Sequence, residues 1–149
     1  MEEYGRSQPA RPSTRLIDAL SFSIHKEKAM PTILQIEDNN ANKILVERVL
    51  APHGYTLLHA YDGESGVSMA IDNKPDLILV DMGLPDVDGQ TVVTLLRQIP
   101  DMKDIPIVAV TAWPPDKAME IAQRYGCDGC ITKPIDIRTF PDEVAQYLK

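Results

Sequence analysis

The sequence has no run of eighteen apolar residues, so no segment is long enough to cross a bilayer as a helix. Its N-terminal stretch also lacks a basic start, an apolar block and a small-residue cleavage site, the parts of a secretory signal. These absences predict a cytoplasmic protein that does not engage a membrane. Cysteine is scarce: the two present, Cys127 and Cys130, form a single Cys-x-x-Cys. Zinc needs four ligands, yet there is no second pair, and His25, His53 and His59 lie in unrelated segments. A redox pair wants its thiols at a helix N-terminus, whereas these follow a helical pattern and enter an apolar run, so two reduced thiols are expected. Neither a GxxxxGK loop nor a GxGxxG fingerprint occurs, which removes the usual nucleotide cradles. Basic residues are outnumbered 15 to 22, and the net charge of −7 repels nucleic acid. A cation is the better candidate for a bound ion.

What is present is the composition of one folded domain: 149 residues, 44% hydrophobic and 25% charged. Residues 1–30 are nearly balanced in charge, so the acidity belongs to residues 31–149, and this shift marks a boundary between a leader and a domain. The leader contains a turn-rich stretch, Arg6 to Ser13, that predicts mobility, and Leu16, Leu20 and Ile24 at the spacing of a short amphipathic helix. From Thr32 onward, short apolar runs alternate with segments of helical period, the pattern of βα units and a parallel sheet buried on both faces. Strands are predicted at Thr32 to Ile36, Thr56 to Ala60, Leu77 to Val80, Ile107 to Val110 and Gly129 to Thr132. Between and after them, Val67, Ala70 and Ile71, then Ala118, Ile121, Ala122 and Tyr125, then Phe140, Val144 and Tyr147, recur as helix faces.

In an open parallel sheet, ligands bind beyond the carboxyl ends of the strands. Those ends read Glu37-Asp38, Tyr61-Asp62, Asp81, Thr111-Ala112 and Lys133-Pro134. Tyr61-Asp62 reads as an ordinary loop. Carboxylates meeting at one rim raise one another's pKa, and a hard divalent cation such as Mg²⁺ resolves that conflict with oxygen ligands alone. A lysine and a threonine hydroxyl at the same rim then suit a phosphoryl group. With no donor cradle in the chain, the phosphoryl group must arrive from elsewhere, and a carboxylate can serve as its nucleophile.

From about Thr32 to Lys149 the chain resembles the receiver domains of two-component response regulators. The resemblance rests on Glu37-Asp38, on Asp81 in Asp81-Met82-Gly83-Leu84-Pro85-Asp86-Val87-Asp88-Gly89, on Thr111-Ala112 and on Lys133-Pro134, in that order and all at strand ends. It implies a flavodoxin-like α/β fold, doubly wound, with a five-stranded parallel sheet of order 2-1-3-4-5 and helices on both faces. It further implies that Asp81 accepts a phosphoryl group from the phosphohistidine of a sensor histidine kinase or a histidine phosphotransfer protein. Mg²⁺, or Mn²⁺ in its place, would be held by Glu37, Asp38, Asp81 and the Gly83 carbonyl. Thr111, Lys133 and the N–H groups of Met82 and Ala112 would surround the phosphoryl group, and the peptide before Pro134 would be cis.

Two residues depart from that pattern. Cys130 stands where receivers carry an aromatic residue coupled to the threonine, so the aromatic switch is not carried over. Trp113, two residues beyond Thr111, and Gly83, two beyond Asp81, would flank the path of an attacking water, which assigns Trp113 a role in the lifetime of the acyl phosphate. The expected protein is a single-domain signalling switch, not an enzyme with external substrates. It would act on an unidentified protein target and not bind DNA directly. The rivals are a receiver from a hybrid kinase, a phosphorelay intermediate and, from another class, an aspartyl-phosphate phosphatase of the haloacid dehalogenase type. That last reading wants Asp-x-Asp after the first strand, where this chain has Glu37-Asp38-Asn39.

Overall fold

The computed structural model describes residues 30–148; the leader expectations for residues 1–29 lie outside the described residues. Five strands, β1 (Thr32–Ile36), β2 (Thr56–Ala60), β3 (Leu77–Asp81), β4 (Ile107–Thr111) and β5 (Gly129–Thr132), alternate with five helices. The helices are α1 (Asn40–Leu50), α2 (Gly63–Asn73), α3 (Gly89–Arg97), α4 (Pro115–Arg124) and α5 (Phe140–Gln146). Short 3-10 turns at Ala51–His53 and Pro100–Met102 complete the chain. All pairings are parallel and the strand order is β2-β1-β3-β4-β5, as the sequence led us to expect. β3 and β4 each run one residue further than predicted, so Asp81 and Thr111 are the last ladder residues themselves.

Alternation along the strands splits the apolar side chains into two cores. Leu34, Ile36, Ile78 and Val80 face Ala70 of α2, Val92, Val93 and Leu96 of α3 and Ala122 of α4. Ile33, Leu77, Leu79, Val108 and Val110 face Val46 and Leu50 of α1 and Phe140 and Val144 of α5. Every residue of β3 and β4 is buried, which is why both read as unbroken apolar runs. Three helix starts carry a side-chain cap on a backbone N–H: Asn39 on Asn42, Asp62 on Ser65 and Asp88 on Thr91. Asp62 is thus a helix cap, more than the loop residue its sequence context suggested.

α2 does not bury the face its bulky residues marked. Gly63, Gly66 and Ala70 form its inner stripe, Val67 is half-buried and Ile71 is 45% exposed. The helix lies so near β1 that a Cβ on Gly66 would fall 2.5 Å from Ile36 Cδ1, so only small residues fit beneath it. At the opposite rim from the strand ends, Arg97 binds four groups at once. Its guanidinium donates to the carbonyls of Gly126, Lys103 and Ile105 and to Asp128 Oδ2 at 2.6 Å. The same Asp128 oxygen accepts the Ile107 N–H at 2.8 Å, and on the neighbouring side Asp76 Oδ2 accepts the Thr32 N–H at 2.8 Å. These bonds close the starts of β4 and β1.

Gly89 sets the loop between β3 and α3. A Cβ there would sit 2.7 Å from Met82 Cα and 2.8 Å from the Asp81 carbonyl oxygen, backbone atoms that cannot step aside. Gly89→Ala is expected to lower the unfolding free energy by about 1–3 kcal/mol, the usual cost of overpacking, measured by urea denaturation. An unchanged midpoint would contradict the close approach.

Candidate functional site

Because the strands are parallel, their carboxyl ends gather at one rim, and four of the five deliver a polar side chain to it. Glu37 follows β1, Asp81 ends β3, Thr111 ends β4 and Lys133 follows β5. Glu37, Asp81 and Thr111 are buried, whereas Asp38 is exposed. Glu37, Asp38 and Asp81 bring one carboxylate oxygen each within 4.8 Å of the others. Asp81, Met82, Gly83, Thr111, Ala112, Trp113 and Lys133 line an adjoining cleft of about 340 Å³. The residues singled out from the sequence therefore stand together, although they come from four separate strand ends.

Two donors orient Asp81. Lys133 Nζ lies 3.1 Å from its Oδ1, and the Gly83 N–H donates to the same oxygen at 3.0 Å. Glu37 is held mainly through its backbone: its N–H donates to the Ala60 carbonyl at 2.9 Å, and its own carbonyl accepts from His59 Nε2 at 2.8 Å. Its Oε2 accepts the Asn39 N–H at 3.2 Å, joining the site to the cap of α1. Burial pulls the His59 pKa down, so the ring is neutral and its proton sits on Nε2. His59 Nδ1 is buried with no partner among the described residues.

The two buried acids divide their titration. Burial, then the hydrogen bond to Asp81, pushes Glu37 up to about 7. Burial would raise Asp81 as well, but the Gly83 N–H, the Glu37 proton and Lys133 outweigh it and hold Asp81 below the usual carboxylate range. Of the two, Asp81 is the stronger acid, and Glu37 keeps its proton to the higher pH. A hard divalent cation fits this donor set, which is all oxygen, carries more negative charge than Lys133 balances, and includes one proton that an ion would displace.

Thr111 Oγ1 accepts the Trp113 N–H at 3.1 Å, so the hydroxyl is tied to the loop that follows it. The Met82 N–H, expected in a phosphoryl cradle, donates here to the Val110 carbonyl at 3.2 Å and belongs to the β3–β4 ladder. Trp113 packs edge-to-face on Tyr125, with ring centroids 5.8 Å apart. The Lys133-Pro134 peptide is cis. Cys127 and Cys130 are free; burial pushes the Cys127 thiol up to about 11 and raises Cys130, so neither is a reactive thiolate at neutral pH. Reading the sequence missed three supports: His59, the Gly83 N–H and the Trp113 N–H. Gly83 had a signal, since a carboxylate readily takes a backbone N–H two residues on; His59 had none, because its role depends on β2 lying beside β1.

Residues 33–145 match the family model described as the response regulator receiver domain. Among curated proteins, the polar-differentiation response regulator DivK of Brucella anthropi is 32% identical over 117 residues, which is 78% of this chain and 95% of that protein. The receiver domain of a sensor histidine kinase from Pseudomonas aeruginosa, with a magnesium ion coordinated in its active-site cleft, superposes with a TM-score of 0.73. It is 28% identical, and the match covers 80% of this chain and 98% of that one. The chemotaxis response regulator CheY4 of Vibrio cholerae shares the fold at a TM-score of 0.75 and 24% identity, over 80% of this chain and 99% of its own. Among the described residues no helix is long and apolar enough to cross a membrane.

A carboxyl whose folded pKa lies above its unfolded value stabilises below the unfolded pKa and loses that contribution as pH rises through the folded one. For Glu37 that window runs from about 4.5 to about 7. Without divalent ions, the stability difference between Glu37→Gln and the parent should therefore shift in favour of the variant between pH 5 and pH 8, by about 1–3 kcal/mol. Urea unfolding of both proteins at the two pH values measures it, and parallel pH profiles would refute the assignment of the proton to Glu37.

Proposed function

The chain belongs to the response regulator receiver family, and from that premise we propose that it is a phosphorylation-operated signalling switch whose phosphoacceptor is Asp81. The observation that carries this reading is the Asp81 carboxylate itself: buried, and held by Lys133 and the Gly83 N–H at the mouth of a cleft. An Asp81 oxygen forms the bond to phosphorus while the P–N bond of a donor phosphohistidine breaks, and the departing imidazole takes up a proton. Glu37, Asp38 and Asp81, with the Gly83 carbonyl, would hold Mg²⁺ or Mn²⁺. That ion supplies charge neutralisation for the phosphoryl oxygens.

Lys133 then exchanges its carboxylate partner for a phosphoryl oxygen, keeping its charge paired throughout. Thr111 turns its hydroxyl from the Trp113 N–H toward the phosphoryl group, and the Ala112 N–H supplies a further donor. The Met82 N–H joins them if it leaves the Val110 carbonyl, which ties phosphoryl binding to a change at the end of the β3–β4 ladder. Trp113, forming one wall of the cleft, controls the approach of water to the acyl phosphate. The partners are a sensor histidine kinase or histidine phosphotransfer protein upstream and a protein target downstream, and the place of action is the cytoplasm.

The haloacid dehalogenase alternative draws no support from the site, because the held carboxylate ends the third strand and not the first. Incubation with acetyl phosphate and Mg²⁺ should add one phosphate by intact mass to the parent and none to Asp81→Asn; modification of both, or of neither, would sink the proposal. Loss of label from phosphorylated Trp113→Ala should differ in rate from the parent, and identical decay curves would remove Trp113 from the mechanism.

A further inference from the structure

We propose that the groove between α2 and α3 is a docking site for a cationic amphipathic helix of a partner protein. The groove has a volume of about 450 Å³ and is lined by Gly63, Glu64, Val67, Asp86, Val87 and Leu95. It lies beside α2 where that helix is pressed onto β1 by its glycine stripe, which leaves Val67 half-buried at the groove and Ile71 turned outward. Leu95 on the facing helix is 43% exposed and Ile71 extends the same apolar stripe of α2 at 45% exposed. Val67 and Leu95 bring apolar surface into one groove from two neighbouring helices, the kind of opening that marks an interaction surface.

The charge around the groove selects the occupant. Between Tyr61 and Gln90 the one basic residue is Lys74, and it is paired with Asp101 at 3.3 Å. Arg97, the basic residue of α3, is committed to Gly126, Lys103, Ile105 and Asp128. Glu64 and Asp86 line the groove itself, and Asp62 and Asp88 cap the helices on its two sides, so its charged lining is acidic with no basic side chain. Nucleic acid and anionic lipid are repelled from such a surface, and a second copy of this acidic chain would bring like charge against it. A helix with aliphatic anchors at i, i+3 or i+4 and i+7, flanked by lysine or arginine, meets both the apolar floor and the acidic rim.

One wall of the groove is also the middle of the β3–α3 loop. Asp86 accepts the Gly63 N–H at 2.8 Å and the Glu64 N–H at 3.0 Å, clamping that loop to the first turn of α2. Val87 packs beneath Gly63. The surface is therefore held in shape before any partner arrives, which lowers the cost of binding. This inference stands independently of phosphoryl transfer.

The test is an NMR titration of the ¹⁵N-labelled full chain with a synthetic helical peptide carrying leucine at those anchor positions and lysine or arginine elsewhere. Saturable shifts should centre on Glu64, Val67, Asp86, Val87 and Leu95. They should be absent with the peptide in which glutamate replaces the basic residues. Leu95→Asp, at an exposed position that leaves the fold intact, should weaken binding about tenfold, a loss of about 1.4 kcal/mol; Glu64→Lys should weaken it too. Shifts centred elsewhere, no saturable shifts, equal response to the acidic peptide, or an affinity indifferent to Leu95→Asp would each overturn the proposal. Concentration-dependent shifts of these residues without peptide would overturn it in favour of self-association.

Discussion

Two carboxylates at the ends of adjacent buried strands repel each other, and much of this protein is arranged around that repulsion. Pairing Ile36 with Val80 in the β1–β3 ladder obliges Glu37 and Asp81 to be neighbours. Buried together, the two divide their titration: Glu37 is raised and Asp81, beside Lys133, is lowered. The lysine comes from the far side of β4, which is possible because β5 ends level with β4, Thr132 opposite Thr111. Strand order, register and the identity of the residue after each strand are therefore one design expressed at three levels. A shift of one residue in any ladder would separate the charges that balance one another.

The remaining acids are used differently. Asp76 and Asp128 accept backbone N–H groups at strand starts, Asp62, Asp86 and Asp88 do so at helix starts, and each carboxylate there offsets an orphan donor. At Asp86 and Asp88 the pKa falls, with backbone N–H bonds the leading cause. Two kinds of acid with a structural task can thus be told apart, three crowded at the rim of the cleft and five placed where backbone N–H groups welcome charge.

Most of the architecture was legible in the sequence because a parallel sheet buried on both faces writes itself as apolar runs, and because its functional residues must follow those runs. Asp81, Thr111 and Lys133 could be read off as strand ends for that reason. What could not be read depended on contacts between elements distant in the chain. His59 matters only through the β1–β2 pairing, the Asp86 clamp only through the approach of α2 to the β3–α3 loop, and Arg97 only through four groups that no periodicity predicts. Ile71 stands in the expected helix but on its exposed side, because the steric closeness of α2 to Ile36 demands small residues beneath it, which helical spacing of large ones does not reveal.

Arg97 and the two aspartates near it give the sheet mechanical polarity. At the amino-terminal rim, strand starts are stapled by charge-assisted bonds that no ligand competes for. At the carboxyl-terminal rim, Lys133, Thr111 and Met82 instead hold bonds around the lining of a cleft. The sheet is thus held unlike at its two edges, as a cantilever is: bonded to charged side chains at the strand starts and opening onto a cleft at the strand ends.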